Sequence, residues 1–282
     1  MSFTPLANRI CVATLLLVST IAFPAMSFGQ AEDAKAWHQP QAMPDRIMLG
    51  WTGDPATSIS VNWRTSLAVA EPRAEVAIAG DGPDFSKQAT TVKAQSQKLV
   101  TEINEAAFHT AHFTGLKPDT IYAYRVGDGK NWSEWNQFRT ASAKPEPFTF
   151  IYVGDAQANI YSYWSRVIRQ AYSSAPDVRF ILHAGDLVNR HNRDDQWGEW
   201  FHGAGWINSK VALFPVPGNH EYGNGPAGNR ELSPHWRPQF ALPENGPPGL
   251  EETCYYTDIQ GVRMIGLNSN VMRKEQAEWL EK

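Results

Sequence analysis

The sequence has little cysteine: two in 282 residues, Cys11 and Cys254. Cys11 lies near the start of an apolar N-terminal stretch that reads as a removable leader, and it is not placed for lipid attachment. The mature chain then keeps a lone thiol, so an internal disulfide is excluded and Cys254 reads as a buried apolar residue. An excess of one charge is also missing. With 25 basic and 29 acidic residues the net charge is −4, which gives no reason to expect nucleic acid or an anionic membrane as partner. Long apolar runs are absent except at the start, where Arg9 precedes residues 10–23 and Ser27-Phe28-Gly29 closes the stretch. A basic start, a short apolar stretch and a small-residue exit predict a secretory signal peptide over residues 1–29. The stretch is too short and too interrupted for a membrane span, which needs ~20 apolar residues. The expected location is secreted or periplasmic. Histidine runs out early, because none of the 8 follows His235.

What is present reads as two domains, the number expected of this length at ~100–200 residues each. Apolar residues at 42% and charged residues at 19% make an ordinary globular composition. Residues 30–44, with Pro40 and Pro44, read as a linker. Residues 45–142 have a short-strand texture. Ile59-Ser60-Val61-Asn62-Trp63 alternates apolar and polar, residues 74–79 repeat the pattern, and Gly115-Leu116-Lys117-Pro118-Asp119-Thr120 is a turn before the strand of residues 121–126. Several short strands with regular turns predict a β-sandwich. His109 and His112 fall on opposite faces of one strand and read as ordinary strand residues. Asn131-Trp132-Ser133 fits the N-glycosylation pattern.

Residues 143–147, with Pro145 and Pro147, are a second linker, after which strand and helix alternate. Apolar strands are predicted over 148–153, 178–182, 211–216, 255–259 and 262–267. Helices are predicted over 160–172, with Trp164, Val167, Ile168 and Ala171 on one face, over 196–206, with Trp197, Trp200 and Phe201 as packing residues, and from 274 onward. Such alternation means an α/β layered domain over residues 148–282, with strands buried on both faces.

Polar clusters follow three of these strands: Gly154-Asp155-Ala156-Gln157, then Gly185-Asp186-Leu187-Val188-Asn189, then Pro217-Gly218-Asn219-His220-Glu221. In α/β sheets, sites form beyond the carboxyl ends of the strands. Two carboxylates and a carboxamide brought together there call for a cation, and divalent metals take these oxygen donors. His183 reads as a packed histidine, His191 and His202 as surface residues, and His235 as a candidate for lining the cleft. Glu244, Asn245 and residues 246–249 read as a loop near the mouth of the site.

The order Gly-Asp, then Gly-Asp-Leu, then Gly-Asn-His-Glu resembles the calcineurin-like metallophosphoesterase superfamily. The region in front, with leucine, proline and threonine before an alternating tyrosine strand, resembles a fibronectin type III-like domain and narrows the likeness to the purple acid phosphatase branch. The resemblance covers residues 45–282 and implies a seven-stranded sandwich followed by the catalytic layer. It implies that Asp155 binds a first metal, that Asp186 bridges two, and that Asn219 binds the second. His220 would orient the substrate phosphate or protonate the leaving oxygen, and Glu221 would hold His220. The implied function is metal-hydroxide attack on a phosphate ester, expected to be a phosphomonoester. A non-catalytic module that holds a polymer or surface through its sandwich, and a phosphodiesterase or nucleotidase, are the alternatives.

Two departures matter. The purple acid phosphatases' tyrosine, three residues after the bridging aspartate, is replaced by Asn189; the superfamily's histidine, two after the first aspartate, is replaced by Gln157. Gln157, Asn189 or water could fill the first site, and neutral oxygens bind a trivalent ion more weakly, so a divalent pair (iron, zinc or manganese), or a weak first site, is expected over a ferric centre. The family's later histidine ligands have no counterpart after His235. The expectation is a chain truncated inside its catalytic domain and inactive as given; a natural short form that has become a binding protein is the alternative.

Overall fold

The alternation over residues 59–63 becomes β2, Ile59–Thr65, which is buried along its whole length. The computed structural model describes residues 38–226 and 228–282, so the predicted signal peptide and the first part of the 30–44 linker lie outside the described residues. Around β2 stand β1 Asp45–Gly50, β3 Arg73–Ile78, β4 Thr90–Lys93, β5 Gln95–Val100, β6 Glu105–Phe113, β7 Ile121–Gly127 and β8 Asn136–Arg139. They make two antiparallel layers, β5-β6-β2-β1 and β4-β3-β7-β8. Eight strands stand where seven were implied. The chain crosses between layers at the buried Ala94, so β4 pairs with β3 and β5 pairs with β6. Between the layers Phe138 stacks on Phe113 and Tyr122 at ring distances of 6.4 and 5.6 Å. Packed aromatic pairs of this kind add about 0.5–1.5 kcal/mol beyond area burial.

The second region runs β9 Ile151–Val153, α1 Ile160–Ser174, β10 Phe180–His183, α2 Asp194–Ala204 and β11 Ala212–Pro215. It continues with the hairpin β12 Tyr222–Asn224 and β13 Arg230–Leu232, α3 Trp236–Gln239, the hairpin β14 Tyr255–Ile259 and β15 Val262–Gly266, and α4 Arg273–Leu280. Strands β9, β10 and β11 are parallel neighbours. Trp164, Trp197 and Trp200 are buried between helices and sheet, as their helical spacing predicts. Val167 does not join them: it is 54% exposed, and α1 buries Ile160, Trp164, Ile168 and Tyr172 instead. The strand expected over 148–153 shrinks to three residues because pairing with β10 begins at Ile151↔Ile181. Upstream, Pro147 lacks an amide to donate, and Phe150 stacks on Phe180 at 5.0 Å. β9 is a sheet edge with Tyr152 68% exposed, so burial on both faces fails there.

The two regions share one sheet. β1 pairs parallel with β11 at Leu49↔Ala212, which gives the seven-stranded order β5-β6-β2-β1-β11-β10-β9. The Tyr124 hydroxyl donates to the Ser209 carbonyl at 2.6 Å across the same junction. Beside it, Arg46 donates to Asp194 Oδ1 at 2.7 Å and Oδ2 at 3.0 Å. Arg64 lies 3.4 Å from Asp194 Oδ2 and also bonds Asp45, while Asn104 Nδ2 donates to Asp194 at 3.0 Å. The glycosylation pattern sits in a tight turn: Asn131 Nδ2 donates to Asp128 Oδ2 at 3.0 Å, and Ser133 Oγ accepts from the Val126 amide at 3.1 Å.

Candidate metal centre

Parallel strands end side by side, so the segments that leave β9, β10 and β11 meet at one sheet edge. They are laced through their backbones. The Ala184 amide donates to the Val153 carbonyl at 2.8 Å, Asp155 to Gly185 at 3.1 Å, Gln157 to Asp186 at 3.2 Å and Val216 to His183 at 2.9 Å. Close approach explains two of the glycines. Gly185 has φ +93°, and a Cβ on it would lie 2.5 Å from the Gly218 nitrogen. A Cβ on Gly218 would lie 2.2 Å from Asp186 Oδ1. Asp155 at φ 52° and Asp186 at φ 56° are held in the left-handed region. Short polar side chains tolerate that region, at a cost of order 1–2 kcal/mol that the surrounding bonds must outweigh.

Asp186 is gripped by the third loop. Its Oδ1 accepts from the His220 amide at 2.9 Å, and its Oδ2 faces Gln157 Nε2 at 3.4 Å. Asp155 and Asn219 are exposed at the same edge, while Asp186 and His220 are half-buried. The His220 ring is fixed by Nδ1, 2.8 Å from the Asn189 carbonyl. Thus the main chain of Asn189, not its side chain, meets the candidate proton donor.

Glu221 behaves differently from expectation. It is fully buried, and its carboxylate accepts from the amides of Asp186 at 2.8 Å, Leu187 at 2.8 Å, Val188 at 3.3 Å and Gly218 at 2.8 Å. It holds the Asp186 loop, whereas the resemblance implied that it holds the His220 ring. Burial pushes its carboxyl up to about 7, against the amides of Gly218, Val188 and Asp186, which pull it down.

Among the described residues no three His, Cys, Asp or Glu side chains converge as a metal group. The donor chemistry nonetheless fits a divalent ion. Carboxylates and carboxamides dominate, and Gln157 Oε1 is buried without a hydrogen-bond partner, a cost that a cation would remove.

The other histidines stand apart from this edge. His183 is buried edge-on to Trp164 and Trp200 at 5.3 and 6.0 Å, and burial pushes its ring down to about 3. His109 bonds Thr65 at 2.7 Å and Ser96 at 2.8 Å, and burial lowers it to about 4. His202 is exposed and touches Tyr161. His191 is half-buried against Gly223, where a Cβ would meet its ring at 2.2 Å. His235 does not line the cleft. It is buried, stacked on Trp197 at 6.0 Å, with Nε2 3.5 Å from Asp194. Asn245, expected near the mouth, bonds the backbone of Tyr256 in the last hairpin.

One contributor escaped notice in the sequence. Asn270 Nδ2 donates to the Pro217 carbonyl at 3.0 Å, and the buried Asn268 donates to the Tyr222 hydroxyl at 2.7 Å, bracing the third loop from β15. The signal was available, since Asn268-Ser269-Asn270 is a further polar cluster after an apolar strand.

Comparison with known proteins agrees with this architecture. The model for the N-terminal domain of purple acid phosphatases matches residues 44–140, and that for calcineurin-like phosphoesterases matches residues 148–282. An uncharacterised protein of Mycobacterium tuberculosis is 28% identical over 239 residues, covering 76% of this chain and 43% of its own length. Purple acid phosphatase 15 of Arabidopsis thaliana is 29% identical over 209 residues, covering 62% and 37%. The structure of a purple acid phosphatase from yellow lupin seeds superposes with TM-score 0.67 at 19% identity, over 85% of this chain and 48% of that one. The chain spans less than half the length of each of these relatives.

Proposed function

Because the chain belongs to the calcineurin-like metallophosphoesterases, in their purple acid phosphatase branch, we propose that it is an exported, metal-dependent hydrolase of phosphoric monoesters. The observation that carries this reading is the lacing of three strand exits, which sets Asp155, Asp186 and Asn219-His220 along one sheet edge. Asp155 and Gln157 Oε1 would hold one divalent ion, Asn219 a second, and Asp186 both. When bound, such a pair lowers the pKa of a water to about 7 and offsets charge on the phosphoryl oxygens. His220 serves the leaving oxygen. A carbonyl only accepts, so the contact with Asn189 places one ring proton on Nδ1 and leaves Nε2 to face substrate. The half-buried position of the ring keeps it in reach of solvent and ester alike.

Asn189 offers no phenolate, so the metal-loaded protein is expected to lack an intense visible charge-transfer band. The donors among the described residues fall short of a two-metal set, so the 282-residue chain alone is expected to hold metal weakly and turn over little. The test is metal analysis with p-nitrophenyl phosphate and bis-p-nitrophenyl phosphate, on this chain and on any longer product of its reading frame, with Asp186→Asn as control. Two metals per chain and monoester turnover that the control loses support the reading. Less than one metal per chain in every product, or a control with full activity, overturns it. Preference for the diester moves the assignment to a phosphodiesterase.

A further inference from the structure

We propose that Glu221 is a positioning residue that shapes the metal-binding loop by gathering backbone amides around its carboxylate, and that it acts on Asp186 rather than on His220. The inference rests on the metallophosphoesterase reading above. Three consecutive amides, those of Asp186, Leu187 and Val188, point at one carboxylate, and the Gly218 amide joins from the neighbouring loop. Successive amides that converge in this way form an anion-binding concavity. Here the anion is part of the chain. Oε2 bridges the second loop to the third through Asp186 and Gly218, and Oε1 takes Leu187 and Val188.

Asp186 is consequently fixed at both ends by one three-residue stretch. Its amide is bound by the Glu221 side chain, and its Oδ1 by the His220 main chain. That double hold stabilises the left-handed backbone of Asp186, φ 56°, which an aspartate does not favour by itself. None of the ion pairs of the described residues includes Glu221, so among them its carboxylate is met by the four amides. The His220 ring needs no help from Glu221, since it already bonds the Asn189 carbonyl.

Glu221→Gln keeps the shape and removes half of the accepting capacity. Two measurements read the result. Amide hydrogen exchange on the metal-free 282-residue chain follows Asp186, Leu187, Val188 and Gly218. Calorimetric titration with Mn²⁺, on the longest product that binds metal, follows affinity in wild type, Glu221→Gln, His220→Ala and the double variant. We expect faster exchange at those four amides and a metal affinity lowered about 10–100-fold, as outer-shell changes usually give. The loss should persist in the His220→Ala background, because the two effects are separate. Unchanged exchange together with unchanged affinity overturns the proposal. So does a loss that disappears once His220 is gone, which would return Glu221 to the role of orienting that ring. If Glu221→Gln does not fold, Glu221→Asp, one methylene shorter, is read by the same criteria. Failure of the wild type to bind Mn²⁺ strikes the proposed function, while the exchange measurement still decides the role of Glu221.

Discussion

Two carboxylates lie at the centre of this molecule, Asp194 at 1% exposure and Glu221 at 0%, and their partners are of opposite kinds. Asp194 sits where the sandwich meets the α/β layer and is surrounded by charge. Burial drives its carboxyl up, but the His235 ring 3.5 Å away and the guanidiniums of Arg46 and Arg64 outweigh that and hold it far below the usual carboxylate range. Glu221 sits beneath the candidate metal edge and is surrounded by amide dipoles, so burial prevails and its carboxyl rises. A guanidinium carries a full charge and secures a junction. Backbone amides carry partial charges, and they let a carboxylate define the shape of a loop. The same functional group thus fastens two regions in one place and moulds a site in the other.

The largest effect is expected from breaking the charged partner set. Asp194→Asn leaves Arg46 and Arg64 buried without their shared counter-ion and should cost about 3–5 kcal/mol in urea unfolding. A loss near zero would mean that Asp45 alone satisfies both guanidiniums. Next comes the amide set. Glu221→Gln should cost less, about 1–3 kcal/mol, because only neutral donors lose their acceptor. If it proves the more destabilising of the two, the contrast drawn here is wrong.

Acid titration sharpens the comparison. His183 and His109 are held neutral, so each contributes stability that is fully present above the unfolded value of 6.5 and is lost as pH falls toward about 3 and about 4. Glu221 works in the opposite sense over part of that window. Its raised carboxyl favours the protonated folded form, so it adds stability as pH falls from about 7 toward 4.5. Asp194 stays ionised in the folded state throughout the window, so the stability it adds begins to be lost as pH nears the unfolded value of 3.8, in wild type and in both variants alike. Thermal unfolding between pH 7 and pH 4 should therefore fall less steeply in His183→Phe and more steeply in Glu221→Gln. Slopes that match wild type in both variants would show that neither group titrates as its burial implies. The smallest effect belongs to Asn189→Ala. Its carbonyl, not its side chain, meets His220, so stability should stay within about 0.5 kcal/mol of wild type.

Much of this was legible in the residues themselves. The apolar runs that end in Gly-Asp or Gly-Asn announced three strand exits, and parallel pairing then had to bring them to one edge. What escaped were partners that leave no mark in a sequence. Glu221 next to His220 invites a side-chain pairing, yet its true partners are amides, which every residue but proline carries. His235, a candidate for lining the cleft, has its place decided by Trp197 and Asp194, some forty positions away in the chain. The pairing of β1 with β11 was invisible for the same reason, since neither strand differs locally from one that pairs only with its neighbours.

That pairing also sets a schedule. In the order of synthesis the outer edge of β1 has no partner until β11 has emerged, about 160 residues later. At about 5–20 residues per second that interval is on the order of 10–30 s. Through it an open strand edge of a half-built sheet is available to other chains, the kind of edge that finished proteins cover or blunt. The sandwich thus precedes the α/β region in synthesis, but the β1 edge of its larger layer waits for a strand of that later region to cover it.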